Sequence, residues 1–234
     1  MNDNLEALRD ALPWLKEGVL VTLQLSLGGV ALALVVSIVL GLMSIAPVPP
    51  VRWLATAVVE FFRGTSLVVQ LFWLYFVLPV LFDIRLEAVL TGIIALGLNY
   101  GAYGAEVVRG SINAVDKGQW EGATALNMSP ALRMRKVIWP QAWVLMLSGY
   151  NNLTVMLIKG TAVALFISLS DLTYYVEELR KDTGSTLFAY AVGLLIFYVI
   201  AWVASRGLRL LENLARRRLG MPARSAHAGA GASL

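Results

Sequence analysis

Charged side chains are absent from five stretches of the chain: 18–51, 64–82, 88–105, 137–158 and 183–205. Each stretch holds at least 18 residues, rich in Leu, Val, Ile, Ala and Gly. At a rise of about 1.5 Å per residue, such a run approaches or exceeds a ~30 Å hydrocarbon core. The apolar runs are continuous rather than alternating, so strands of a membrane barrel are not indicated. Lipid offers no partner to backbone N–H and C=O groups, which makes helices the economical assignment. The pattern predicts five transmembrane helices, at about 19–45, 60–82, 88–108, 140–165 and 186–207. The expected fold is an all-α polytopic membrane protein.

Ahead of the first run the pattern changes. Leu5, Leu8, Leu12 and Leu15 recur at helical spacing among Asp3, Glu6, Arg9, Asp10, Lys16 and Glu17. This predicts a short amphipathic helix over 1–17, lying on the membrane surface; a frayed solvated end is the alternative. The four acids exclude a secretory signal, which needs a basic start and an apolar run. Residues 211–234 read as a disordered tail, with the small-residue stretch ARSAHAGAGASL at its end.

Composition agrees with the membrane assignment. Hydrophobic residues make up 58% of the 234, charged ones 15%, and the mean hydropathy is +0.71. Soluble domains carry about 25% charged residues. The chain has no cysteine and one histidine, His227 in the tail. That excludes thiol chemistry and Cys-based metal sites, and it argues against a His-centred active site. The spans offer no Ser/His, paired-Asp or metal constellation, and nothing points to nucleic acid.

The basic residues set the expected orientation. Segments 46–64, 109–138 and 206–234 hold thirteen of the nineteen Lys and Arg; the N-terminus and the other two loops hold five. The positive-inside rule puts the first group in the cytoplasm, with the N-terminus outside and the C-terminus inside.

That places EGATALNMSPALRMRKVIWP (121–140) in a cytoplasmic loop between spans three and four. It reads as two short helices with a break. Asp116 and Gln119 fit a capping box for the first helix. Asn127 is a candidate left-handed stop, and Ser129-Pro130 an N-cap followed by proline in the first helical position. Pro140 marks the entry to span four. Two readings stand. One is a rigid protrusion that docks into a groove on a cytoplasmic partner; the other is a surface loop whose Arg133, Arg135 and Lys136 anchor to lipid headgroups.

Polar residues inside the spans need a reason, since an ionisable group there costs at least ~2.5–3.5 kcal/mol. Glu106 and Arg109 are spaced as an i,i+3 pair near the cytoplasmic surface, as are Glu60 and Arg63; Glu106 is otherwise a charge lining a solute route. Lys159 either snorkels outward or faces a cavity. Gln70, Asn99, Tyr100, Tyr103, Asn151, Asn152, Thr154 and Thr161 are either interhelical hydrogen-bonding groups or the lining of one midplane cavity. Phe72, Trp73 and Tyr75 suit an interfacial aromatic belt or a cation cage. Gly28, Gly29 and Gly41 suit close helix packing. The stretch 168–186 suits a cover for the outer mouth or a contact for an external protein.

The loop resembles the EAA loop of bacterial ABC-importer permease subunits, whose pattern is E-A-A, three residues, G, nine residues, I, one residue, L-P. Glu121, Ala123 and Pro140 match outright. Gly122, Asn127, Val137 and Trp139 replace Ala, Gly, Ile and Leu. Asn127 keeps the left-handed capability, whereas Gly122 loosens the first helix by up to about 1 kcal/mol relative to alanine. FRGTSLVVQLFWLYFVLP (62–79), residues 96–129 and IKGTAVALFISLSDL (158–172) resemble the polar amino acid, histidine/glutamine-type permeases. FWLYFVLP and GQWEGATALNMSP are similar to ectoine/hydroxyectoine permease subunits. The resemblance covers about 18–210.

It implies a type I ABC importer permease fold in a bacterial cytoplasmic membrane. It also implies coupling to an ATPase through Glu121, Gly122, Ala123, Asn127, Ser129, Pro130 and Pro140. The implied assembly contains a second permease subunit, identical or homologous, two ABC ATPase subunits and an extracytoplasmic solute-binding protein. The chain has no G-x-x-x-x-G-K-[ST] motif, so ATP and Mg would be bound by the ATPase and none by this chain. The solute would be a polar amino acid or an ectoine-like compatible solute. The rival class is a passive channel or membrane scaffold with no ATPase, which has no need of Glu121 and the broken helix.

Overall fold

The computed structural model describes residues 2–219; His227 and the rest of the expected tail beyond 219 lie outside the described residues. The elements are α1 (Asn2–Ser44), α2 (Pro49–Gly64), α3 (Leu67–Phe82), α4 (Ala88–Asn113), α5 (Lys117–Ala125), α6 (Pro130–Ile167), α7 (Leu172–Thr183) and α8 (Thr186–Arg218). No strand occurs among the described residues. α1, α4, α6 and α8 are each long and apolar enough to cross a bilayer. The pair α2–α3 makes a fifth span only if counted together, because the two helices meet at 101°.

The centre of the bundle is α1 against α4, and glycines set how close they come. A Cβ on Gly28 would lie 2.6 Å from Ile93, and one on Gly41 2.6 Å from Val108. The notches are reciprocal: Cβ atoms on Gly92, Gly97 and Gly101 would meet Leu25, Leu32 and Val36 at 2.7, 2.5 and 2.7 Å. Contacts rise together along both helices, so they run parallel. Without a hydrophobic drive between helices in lipid, such close packing is the main source of association. The packing expected of Gly28, Gly29 and Gly41 is present.

The expected surface helix over 1–17 does not form a separate element. It continues into span one as α1, with Pro13 inside it. Ala11 and Leu15 are buried with Leu172, Val176 and Leu179 of α7 and Ala189 of α8. Gly18 admits Tyr175 at 2.7 Å from where a Cβ would sit, and the Leu172 N–H donates to Thr22 Oγ1 at 3.1 Å. Leu15 and, in part, Leu8 therefore pack against this cluster, while Leu12 is 46% exposed.

Span boundaries also shift. Span two is not one helix over 60–82: the chain breaks at 65–66, with extended backbone at Thr65 and Ser66. Span four does not begin at Pro140. The helix starts at Pro130 and runs through Pro140 behind a π-helical stretch, Met134–Ile138. Proline has no N–H and its ring crowds the carbonyl four residues back; the widened turn accommodates both. Pro79 is preceded the same way by Trp73–Val77. α6 then tightens into a 3-10 turn over Thr161–Ile167. α8 extends well past 207 to Arg218, so 211–218 is helix and not disordered tail. Glu212 is buried there and accepts from Arg216, one turn on, at 2.9 Å.

Candidate functional site

The loop between α4 and α6 forms the broken helix that its sequence predicts. Beyond the end of α5 the chain turns at Asn127, whose φ is +52°. The Met128 N–H donates to the Ala123 carbonyl at 3.1 Å, and the Asn127 N–H to Thr124 at 2.9 Å. This pair of bonds is a Schellman motif with asparagine in the left-handed position usually held by glycine. Ser129 then caps α6: its Oγ accepts from the Leu132 N–H at 3.4 Å, with Pro130 next in line.

The start of α5 differs from expectation. Asp116 Oδ1 accepts from the Gly118 N–H at 2.8 Å, but no capping box closes with Gln119. The Gln119 amide oxygen instead accepts from Gln141 Nε2 of α6 at 3.1 Å. A partner on the neighbouring helix has taken the side chain that the box needed.

A second connection straps α5 to α6. Arg133 donates from Nη1 to Thr124 Oγ1 at 2.6 Å and lies 5.3 Å over the ring of Trp120. Thr124 in turn donates to the Trp120 carbonyl at 2.8 Å. Ala123 is buried against α6, while Glu121, Gly122, Ala125 and Leu126 face outward. Leu126 is 78% exposed. A Cβ added at Gly122 would meet nothing within 4 Å, so no packing demands glycine there. The strap through Trp120, Thr124 and Arg133 ties α5 to α6 on either side of Gly122. In the sequence Arg133 reads as a basic residue that could anchor to headgroups, and no regular spacing marks its bond to Thr124 across the break.

The polar residues inside the spans divide into two sets. Gln70 and Asn99 are buried and meet at 3.2 Å, Asn99 Nδ2 donating to Gln70 Oε1. Both also donate to the Phe62 carbonyl, at 2.9 and 3.1 Å, and Gln70 reaches Thr65 Oγ1 at 2.6 Å. Tyr103 Oη donates to the Arg63 carbonyl at 3.4 Å, with the Arg63 guanidinium 5.5 Å over its ring. The last carbonyls of a helix have no intrahelical donor. Here side chains of α3 and α4 supply donors at the break between α2 and α3. Tyr100 Oη donates to Met156 at 3.0 Å, and the buried Thr161 hydroxyl to Ile158 at 2.8 Å. None of these five residues needs a solute to be satisfied.

The other set is open. Asn152, Met156 and Lys159 lie on one exposed face of α6. Lys159 has no ion pair or hydrogen bond among the described residues. Asn151 has a buried Oδ1 with no partner. Thr154 is half-buried and lines a cleft with Tyr100 and Tyr150. Glu106 pairs with Arg109 at 2.6 Å and Glu60 with Arg63 at 3.4 Å. The geometry thus favours the pairing reading for both glutamates. Glu60, Glu106, Arg109 and Arg52 also border one cleft of about 440 Å³ between α2 and α4. Phe72, Tyr75 and Phe76 make edge-to-face contacts, and Phe72 meets Phe166 at 6.1 Å. Trp73 is 54% exposed.

Beyond the end of α6, Asp171 caps α7: its Oδ1 accepts from the Tyr174 N–H at 3.0 Å. Asp171 is fully buried and its Oδ2 has no partner. Burial holds its carboxyl above the usual aspartate range. Glu177 lies lower, at about 2, because Arg180 and the Tyr190 hydroxyl both donate to it.

The family described as "Binding-protein-dependent transport system inner membrane component" matches residues 29–217. The probable amino-acid ABC transporter permease protein y4tF of Sinorhizobium fredii is 40% identical over 216 residues, covering 90% of this chain and 91% of that protein. The arginine transport system permease protein ArtQ of Bacillus subtilis is 32% identical over 203 residues, covering 87% and 93%. A solved structure titled as an amino acid ABC transporter with histidines superposes with a TM-score of 0.81 at 32% identity, over 90% of this chain and 96% of that one.

Proposed function

The chain belongs to the family of binding-protein-dependent transport system inner membrane components, and on that premise we propose how its parts serve transport. It is a permease subunit of an amino-acid ABC importer, a transport component with the type I permease fold. The α5–α6 break is the coupling element that receives motion from a separate ATPase. The observation that carries this is the outward face of α5: a carboxylate at Glu121 and an apolar tip at Leu126, on a helix tied down by the Asn127 stop and the Arg133 strap.

Two ATPase subunits would hold ATP and Mg, since this chain carries no phosphate-cradling motif. A second permease subunit, identical or homologous, completes the pathway, and an extracytoplasmic binding protein delivers the solute. The membrane is the bacterial cytoplasmic membrane, with the N-terminus outside. The solute class is polar amino acids; the ectoine-like refinement rests on two short motifs alone. Asn152 and Lys159 are the residues best placed to line the pathway, because they face outward from α6 without partners of their own.

The test is a mild-detergent pull-down of the tagged chain from its native membrane, followed by mass spectrometry. A P-loop ATPase should accompany the parent chain and be lost from Glu121→Arg. Absence of any ATPase from a folded parent would move the channel or scaffold reading ahead.

A further inference from the structure

An apolar cleft of about 180 Å³ lies between α1, α6 and α8, reaching along α6 from Leu157 to Trp143, with Leu208 and Leu211 on the α8 side. Trp143 and Leu211 also line a second cleft of about 580 Å³, which continues to Trp139, Leu214 and Arg218. Together they form one groove between α6 and α8. At 1.5 Å per residue the upper part is roughly 21 Å long and the whole roughly 27 Å. One leaflet's hydrocarbon is about half of a ~30 Å core.

The chemistry changes along that length. The upper part is aliphatic and aromatic. The lower part carries the indoles of Trp139 and Trp143, whose rings lie 6.3 Å apart, and then a guanidinium. Tryptophan settles at headgroup depth in membrane proteins. Arg218 has no ion pair or hydrogen bond among the described residues, whereas Arg216 is neutralised by Glu212 at 2.9 Å. Arg217 is unpaired too, but at 100° per residue it points away from the groove.

We propose that this groove is a binding site for an anionic phospholipid of the cytoplasmic leaflet. One acyl chain lies against Leu147, Leu208 and Leu211, and the phosphate sits at Arg218 beside Trp139. An apolar slot alone would take any lipid tail; the unpaired cation at headgroup depth selects a net negative headgroup. The leaflet assignment rests on the membrane orientation proposed above, while the preference for an anionic headgroup does not.

The full-length chain, exchanged into mixed micelles of equal phosphatidylglycerol and phosphatidylcholine, is examined by native mass spectrometry. The parent should retain phosphatidylglycerol over phosphatidylcholine by about five-fold, as expected of one basic residue at an anionic surface. Arg218→Gln should abolish the preference and Arg217→Gln should keep it. Leu211→Trp fills the groove and should release both lipids; Leu211 is 56% exposed, so the change does not disturb the core. Equal retention of both lipids by the parent overturns the proposal. So does a preference lost equally in Arg217→Gln and Arg218→Gln. ATPase co-purification with Arg218→Gln reports separately on the importer reading.

Discussion

Gln70 and Asn99, on different helices, donate to the same carbonyl oxygen, that of Phe62, and bond to each other. The bent pair α2–α3 is held at its corner by these two amides. Asn99→Leu leaves Phe62 served by Gln70 but removes two interhelical bonds, and should cost about 1 kcal/mol at about 0.6 kcal/mol for each. Gln70→Leu leaves Phe62 served by Asn99 but removes the donor to Thr65 and the acceptor for Asn99, and should cost ~1–3 kcal/mol. Thermal unfolding in detergent orders the two. A larger loss from Asn99→Leu would mean that Gln70 is not the main staple.

The left-handed residue that follows α5 makes a second expectation. Asn127→Gly should be nearly neutral, because glycine reaches positive φ freely. Asn127→Val should cost ~1–2 kcal/mol locally. Hydrogen exchange over 117–126 should speed up and ATPase retention fall, with protection in α1 and α4 unchanged. Undiminished retention in the valine variant would show that the break does not require a left-handed residue.

Two carboxylates at α7 give opposite pH dependences. Asp171 is raised by burial, so the stability it contributes is present below the ordinary aspartate range and lost as pH rises through its folded value. Asp171→Asn keeps the cap acceptor and removes the buried charge. Its melting temperature should exceed the parent's at pH 7, with the gap closing toward pH ~4. Glu177 is depressed to about 2 from 4.5, so its contribution is present above 4.5 and lost as pH falls between those values. Glu177→Gln should flatten that acid limb alone. A gap for Asp171→Asn that is constant with pH would mean that folding does not raise its carboxyl.

Orientation is testable because the native chain has no cysteine. Asp182 and Leu126 are both exposed. An impermeant maleimide should label Asp182→Cys on intact spheroplasts, and Leu126→Cys only after permeabilisation. The reverse pattern would invert the topology.

What is legible in the sequence is local or compositional. The charge gaps locate every long apolar run. Asn127, Ser129 and Pro130 mark the loop break because turn and cap chemistry acts within a few residues. The corner at 65–66 is hidden because an uncharged run does not record direction; Gly64, Thr65 and Ser66 interrupt the apolar pattern only briefly. Gln70, Asn99 and Tyr103 read either as hydrogen-bonding groups or as cavity lining, because the Phe62 and Arg63 carbonyls that they serve are backbone groups, which a sequence does not display. The leucine stripe before Glu17 reads as helical but not as packing, since its partner, α7, lies more than 150 residues away. Pro140 looks like a boundary because the π stretch that carries the helix past it has no signature of its own.

The reciprocal notches of α1 and α4 bear on how the subunit moves. With knobs from each helix seated in glycines of the other at five points, neither can slide past its neighbour without driving a side chain into backbone. These two helices are one mechanical part. Any change between inward-open and outward-open shapes has to be taken up elsewhere, and the open groove between α6 and α8 is one place with room for it.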